Sequence, residues 1–263
     1  MGSWIEVLAR AGYAARGIVY LVIGFFAVLA AFGRSEAKGT EGALASILRQ
    51  PFGTMLVYAV AFGLSAFCLW RLVQAIRDTD DHGREAKGLA IRAGLIGGGL
   101  SYAAVALLAF AMARGGRRGS EGGGGGDPTG GWLAALHDIG LGWLVIYGVA
   151  AILLAVGAAH VVKGFKAGFE KYFRSPDDVM RWLRPLGRFG LIARGVVFLI
   201  VAGLIVTGGL AYNAEQRPGL ADALNAVQGY AFGWLIMLAI ALGLIAFGAY
   251  SLAEARYRRV SPS

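Results

Sequence analysis

The sequence has one cysteine, three histidines and, within its six longest apolar stretches, no aspartate or glutamate. Each scarcity excludes something. A lone Cys68 rules out an intrachain disulfide and a cysteine metal cluster, and its place in an apolar run reads as a small buried hydrophobe. His82, His137 and His160 are scattered, and only Lys163 stands three or four residues from His160, so no metal or haem site is expected. Transporters coupled to protons or sodium keep an ionisable group inside the bundle, and no mid-span carboxylate is here to serve. His, Asp, Glu and Ser gather nowhere into a catalytic cluster. The sequence therefore points away from an enzyme and indicates no cofactor.

What is abundant is apolar surface. The residues AVILMFWYC make up 57% of 263 positions, charged residues 16%, and the mean hydropathy is +0.61. That composition belongs to a membrane protein. Stretches at about 13–33, 54–75, 93–113, 141–162, 191–212 and 231–252 each reach the roughly 20 residues a spanning helix needs. The first could be read as a secretory signal, since VLA at 28–30 resembles a cleavage site. Its basic lead-in recurs later in the chain, however, so a retained helix is expected. Of the 25 Lys and Arg, 18 fall on the terminal segments and on the second and fourth connections, which places both termini in the cytoplasm. The net charge of +9 then suits anionic lipid headgroups, and no nucleic acid is expected as a partner.

A repeat organises the chain. RAGYAARGIVY at 10–20 returns as RAGLIGGGLSY at 92–102 and RFGLIARGVVF at 188–198. Arg10, Arg92 and Arg188 align, as do Gly17, Gly99 and Gly195, and the aromatics Tyr20, Tyr102 and Phe198. After each odd span comes a short helix-like piece: ALASIL at 43–48, WLAALH at 132–137 and LADALN at 220–225. A glycine (Gly53, Gly142, Gly233) then opens the even span, which brings Trp70, Ala159 and Tyr250 into register, and likewise Arg71, His160 and Ser251. The expected fold is all-α: six transmembrane helices in three tandem parallel hairpins, 1–77, 78–170 and 171–263, with pseudo-threefold symmetry. The second hairpin carries a flexible insertion, GGRRGSEGGGGGDPTGG, in its outer loop. Five successive glycines without a following GK[ST] do not make a phosphate loop.

RAGYAARGIVYLVIGFFAVLAAFG, GALASILRQPFG and GLSAFCLWRLVQA together resemble the bacterial two-helix membrane repeat known as domain of unknown function 1206. The resemblance covers almost the whole chain. It implies an integral protein of the bacterial plasma membrane with three copies of the repeat, and it supplies no catalytic residue. The second copy departs most, with Gly98 where the others have Arg16 and Arg194.

Four side chains stand out as candidate anion or lipid-headgroup contacts: Arg16, Arg71, Arg194 and His160. If RAGYAARGIVY is helical, Arg16 lies about 9 Å further along the axis than Arg10, at the inner edge of the hydrocarbon. The plainer roles are interfacial anchoring, or pairing of Arg16 or Arg194 with Glu254. DTDDHG at 78–83 lacks the glutamate a calcium loop requires. KGFKAGFEKYFRSPDDVMRWLRPLGR mixes basic and aromatic residues as a helix on an anionic membrane surface does. Small-x-x-x-small spacings allow close helix packing, and a protein partner or a second copy of the chain could use the same faces. The function expected is a structural, lipid-interacting or partner-binding one, with a small channel or transporter along the threefold axis as the alternative.

Overall fold

The structure is a computed structural model that describes residues 3–35, 37–115, 142–209, 224 and 232–260. Among these are seven α-helices: α1 (Ser3–Ala31), α2 (Thr40–Leu48), α3 (Gly53–Arg77), α4 (Ala86–Ala113), α5 (Gly142–Phe165), α6 (Asp177–Gly209) and α7 (Gly233–Tyr257). All but α2 are long and apolar enough to cross a membrane. Lipid offers backbone N–H and C=O groups no partners, so a helix that bonds each group internally is the form such segments must take. The first helix of each repeat, α1, α4 and α6, starts well before its apolar stretch, because the arginine motif and the polar residues ahead of it continue the helix out of the hydrocarbon. Pro185 lies inside α6, and the carbonyl it frees belongs to the exposed Arg181, where polar surroundings can bond it.

Helix α2 is the outer piece expected at 43–48, one turn longer at its start. Its counterparts at 132–137 and 220–225 lie outside the described residues apart from the buried, helical Leu224. The returning helices begin alike: Phe52 and Phe232 hold left-handed φ angles of 60° and 58° ahead of Gly53 and Gly233. A Cβ at Gly53 would collide with the Leu48 carbonyl, so this turn requires glycine.

The spanning helices form a row. α1 packs between α3 and α7, α3 also against α4, and α7 against α6, which carries α5 on its other side. The interfaces α3–α4, α5–α6 and α7–α1 each join the returning helix of one repeat to the first helix of another. All three use the same glycine: a methyl on Gly17 would stand 2.9 Å from the Gly248 carbonyl oxygen, one on Gly195 2.7 Å from that of Gly157, and one on Gly99 3.4 Å from that of Cys68. Within hairpins the match is partial. Gly12 lies against the backbone of Phe67 and Gly190 against that of Phe247, whereas nothing lies within 4 Å of a methyl on Gly94. Correspondingly, α4 and α5 share no extensive contact among the described residues. Both present many exposed apolar side chains, among them Leu100, Leu107, Ile152 and Leu154.

The basic–aromatic segment at 163–188 is helical at its two ends, which belong to α5 and α6, and not α-helical over 166–176 between them. Ala167 turns the chain at φ 50°, a short 3-10 turn spans Glu170–Tyr172, and Phe173 forms an isolated bridge with Arg258. Phe169 and Phe173 bury their rings around Tyr250.

Candidate functional site

The two arginines of RAGYAARGIVY do different work. The first caps a neighbouring helix. Arg10 Nη1 donates to the carbonyls of Ala255 and Arg256, both at 2.7 Å; Arg92 Nε and Nη2 donate to Ala75 and Ile76 at 2.6 and 3.1 Å; Arg188 Nη2 donates to Phe165 at 3.1 Å. In each case the guanidinium satisfies the orphan carbonyls at the C-terminal end of a returning helix, from the adjacent repeat. This role was not legible from spacing alone, which pointed only to an interfacial anchor.

The second arginine enters the bundle. Arg16, 3% exposed, donates to Ser251 Oγ at 3.1 Å and pairs with Glu254, also 3% exposed. Its guanidinium lies over the rings of Tyr13, Phe67 and Phe247. Glu254 bonds Arg258 at 2.8 Å, Arg258 bonds Asp80 at 3.1 Å, and Asp80 accepts from Gln74 Nε2 at 3.1 Å. Arg71 donates to Gln74 Oε1 at 3.1 Å and stacks on Phe67. A chain of polar contacts thus runs from Arg16 through two carboxylates to Arg71. Burial disfavours the charge of Arg258, but Tyr13, Glu254 and Asp80 beside it hold the guanidinium more firmly protonated than usual.

The loop at 78–83 has a structural task. The Asp78 carboxylate accepts the backbone N–H groups of His82 and Gly83 at 2.9 and 2.7 Å, and the His82 bond is the main reason its pKa sits below the usual carboxylate range.

Arg194 is differently placed. It is 9% exposed, its Nη2 donates to Tyr102 Oη at 3.1 Å, and its Nε has no hydrogen-bond partner. Its guanidinium lies 4.7–5.2 Å from the ring centroids of Phe247, Phe198 and Tyr20. The three equivalent aromatics of the repeat, Tyr20, Tyr102 and Phe198, thus meet around this one cation. Among the described residues no carboxylate pairs with it. His160 donates its Nδ1–H to the Val156 carbonyl at 2.8 Å and sets its ring edge-on to Phe198 at 5.8 Å. Arg194 also lines a cavity of about 160 Å³ together with Tyr20, Leu153, Phe198, Val201 and Leu244.

Of the four candidates, Arg16 is neutralised inside the protein, Arg71 rests on Gln74 and Phe67, and His160 satisfies its own helix and touches the ring beside Arg194. Arg194 lines a cavity, and its buried Nε has no hydrogen-bond partner. Sequence reading missed Arg258 and Asp80, since both lie outside the apolar stretches and meet Glu254 only through the fold. Among the described residues, no three His, Cys, Asp or Glu side chains come together as a metal site would need.

Comparison with known proteins fits this architecture. A curated relative, "Uncharacterized protein YxxB" of Bacillus subtilis (strain 168), is 29% identical over 263 residues, covering 98% of this chain and 93% of its own. No solved structure matches. The family described as Domain of Unknown Function (DUF1206) matches residues 11–78 and 189–258, the first and third repeats. With two repeats matched over more than half its length, the chain belongs to the DUF1206 family.

Proposed function

We propose that this chain is a non-enzymatic protein of the bacterial plasma membrane, with both termini cytoplasmic, whose basic end engages anionic lipid. One observation carries the reading. Among the described residues four arginines gather at this end: Arg16 and Arg258 share the carboxylates Glu254 and Asp80, Arg71 reaches Asp80 only through Gln74, and Arg194 pairs with no carboxylate. Charges withdrawn from water require partners, and an excess of cations at the headgroup level favours anions supplied by the bilayer. The orientation follows from the Lys and Arg distribution.

The test is lipid composition. Protein extracted from bilayers of phosphatidylglycerol and phosphatidylcholine should carry phosphatidylglycerol above its share in the bulk, and retention at the bulk ratio overturns the reading. Turnover of any substrate that vanishes on replacing one polar intramembrane residue would overturn its non-enzymatic part. A second reading, conduction along the axis where Tyr20, Tyr102 and Phe198 meet, is favoured by the cavity beside them. Solute flux into proteoliposomes would establish it, and sealed vesicles with correctly inserted protein would remove it.

A further inference from the structure

The repeat supplies an internal control for Arg194. In the α7–α1 interface Arg16 faces Ser251, and Glu254 follows one helical turn later; both bond it. In the equivalent α5–α6 interface Arg194 takes the place of Arg16. His160 takes that of Ser251, and Lys163, three residues on, takes that of Glu254. The position that holds the counter-charge for one buried arginine therefore holds another cation for the other. In that setting Arg194 keeps one N–H unbonded, beside a cavity of about 160 Å³.

Aromatic faces do not remove the deficit. The rings of Tyr20, Phe198 and Phe247 stabilise the guanidinium charge, but they do not complete its hydrogen bonds. Nor does Tyr102, which meets only Nη2. Cavities of about 150 Å³ accept a molecule of benzene's size, so this one holds a phosphate or a small carboxylate in full. A larger amphiphile would place only its polar end there.

We propose that Arg194 is the seat of a bound oxyanion, a phosphate or carboxylate group, that replaces the counter-charge Glu254 provides to Arg16. This deepens the anionic-lipid reading by naming the site, and the anion can come free from solution or on a lipid. Tyr102 on α4 and Leu153 on α5 stand beside the site on two helices with no extensive contact between them, which suits entry from the bilayer.

The test uses the full chain, with inorganic phosphate in equilibrium dialysis as one arm and native mass spectrometry of retained phosphatidylglycerol as the other. Wild type should hold one anion per chain in at least one arm. Arg194→Gln should weaken that binding by about tenfold or more, the worth of one charge-assisted hydrogen bond. Lys163→Glu, which restores an internal carboxylate at the Glu254 position, should also displace the anion while keeping the protein folded. It thus separates loss of binding from loss of structure. Binding of phosphate alone assigns a free anion, and binding of lipid alone assigns a lipid headgroup; both support the site. Binding in neither arm, or binding unchanged in both variants, overturns it. Phosphatidylglycerol enriched equally in wild type and Arg194→Gln, with no phosphate binding that depends on Arg194, removes the site yet leaves the broader reading standing. Phosphate bound without lipid enrichment does the reverse.

Discussion

Glu254 is the hinge of the buried charges, because it bonds two guanidiniums: Arg16, which has no other carboxylate, and Arg258, which also reaches Asp80. Removing one partner of a buried pair leaves an uncompensated charge, which costs about 3–5 kcal/mol. Glu254→Gln should therefore lower the thermal unfolding midpoint sharply, with Glu254→Asp intermediate, as read by differential scanning fluorimetry in detergent. Asp78 shows the opposite case, a half-buried carboxylate that shapes a turn. Its pKa is lowered by the bonds from His82 and Gly83, so its contribution is present above the ordinary carboxylate range and is lost as pH falls through the depressed value. Asp78→Ala should speed hydrogen exchange at the His82 and Gly83 amides at neutral pH, while wild type shows that loosening only in strong acid. At this scale the sequence was half legible. The arginines announced themselves by standing in apolar runs, but which one meets Glu254 depended on helix order, which no local pattern encodes.

Helices here approach as closely as their glycines allow, and the repeat offers equivalent positions with different surroundings. A methyl on Gly12 would meet the Phe67 Cα at 2.6 Å and one on Gly190 the Phe247 backbone nitrogen at 2.5 Å, whereas one on Gly94 would meet nothing. Gly12→Ala and Gly190→Ala should each destabilise by about 1–3 kcal/mol through overpacking. Gly94→Ala should be neutral or gain up to about 1 kcal/mol from helix propensity, as read from unfolding in mixed detergent. Element number and type were plain from apolar length. Helix starts were not, since the polar residues that begin them carry no apolar signal. Within the basic–aromatic segment at 163–188, the stretch 166–176 departs from the helical reading for a related reason: its aromatics suit a lipid surface in composition, and only the position of Tyr250 shows that Phe169 and Phe173 are buried.

For the whole molecule, the orientation has a direct check. In a Cys68→Ala background, single cysteines at Ser120 and Asp177 should label from opposite sides of the membrane, with Asp177 protected in intact cells. Labelling of Asp177 from outside would invert the topology. The hairpin repeat was readable from aligned arginines, glycines and aromatics. The sparse contact between α4 and α5 was not, although Gly98 and the glycine-rich insertion marked the second repeat as the divergent one.

Arg10 reaches the last carbonyls of α7 just as Arg92 and Arg188 reach those of α3 and α5. The junction between first and third repeats is thus built like the two junctions that a peptide segment bridges. Where the backbone is cut therefore matters little to the assembly. A circular permutant that joins residue 260 to residue 3 through a short linker and opens between His82 and Gly83 should insert and fold, with a melting temperature close to that of the parent.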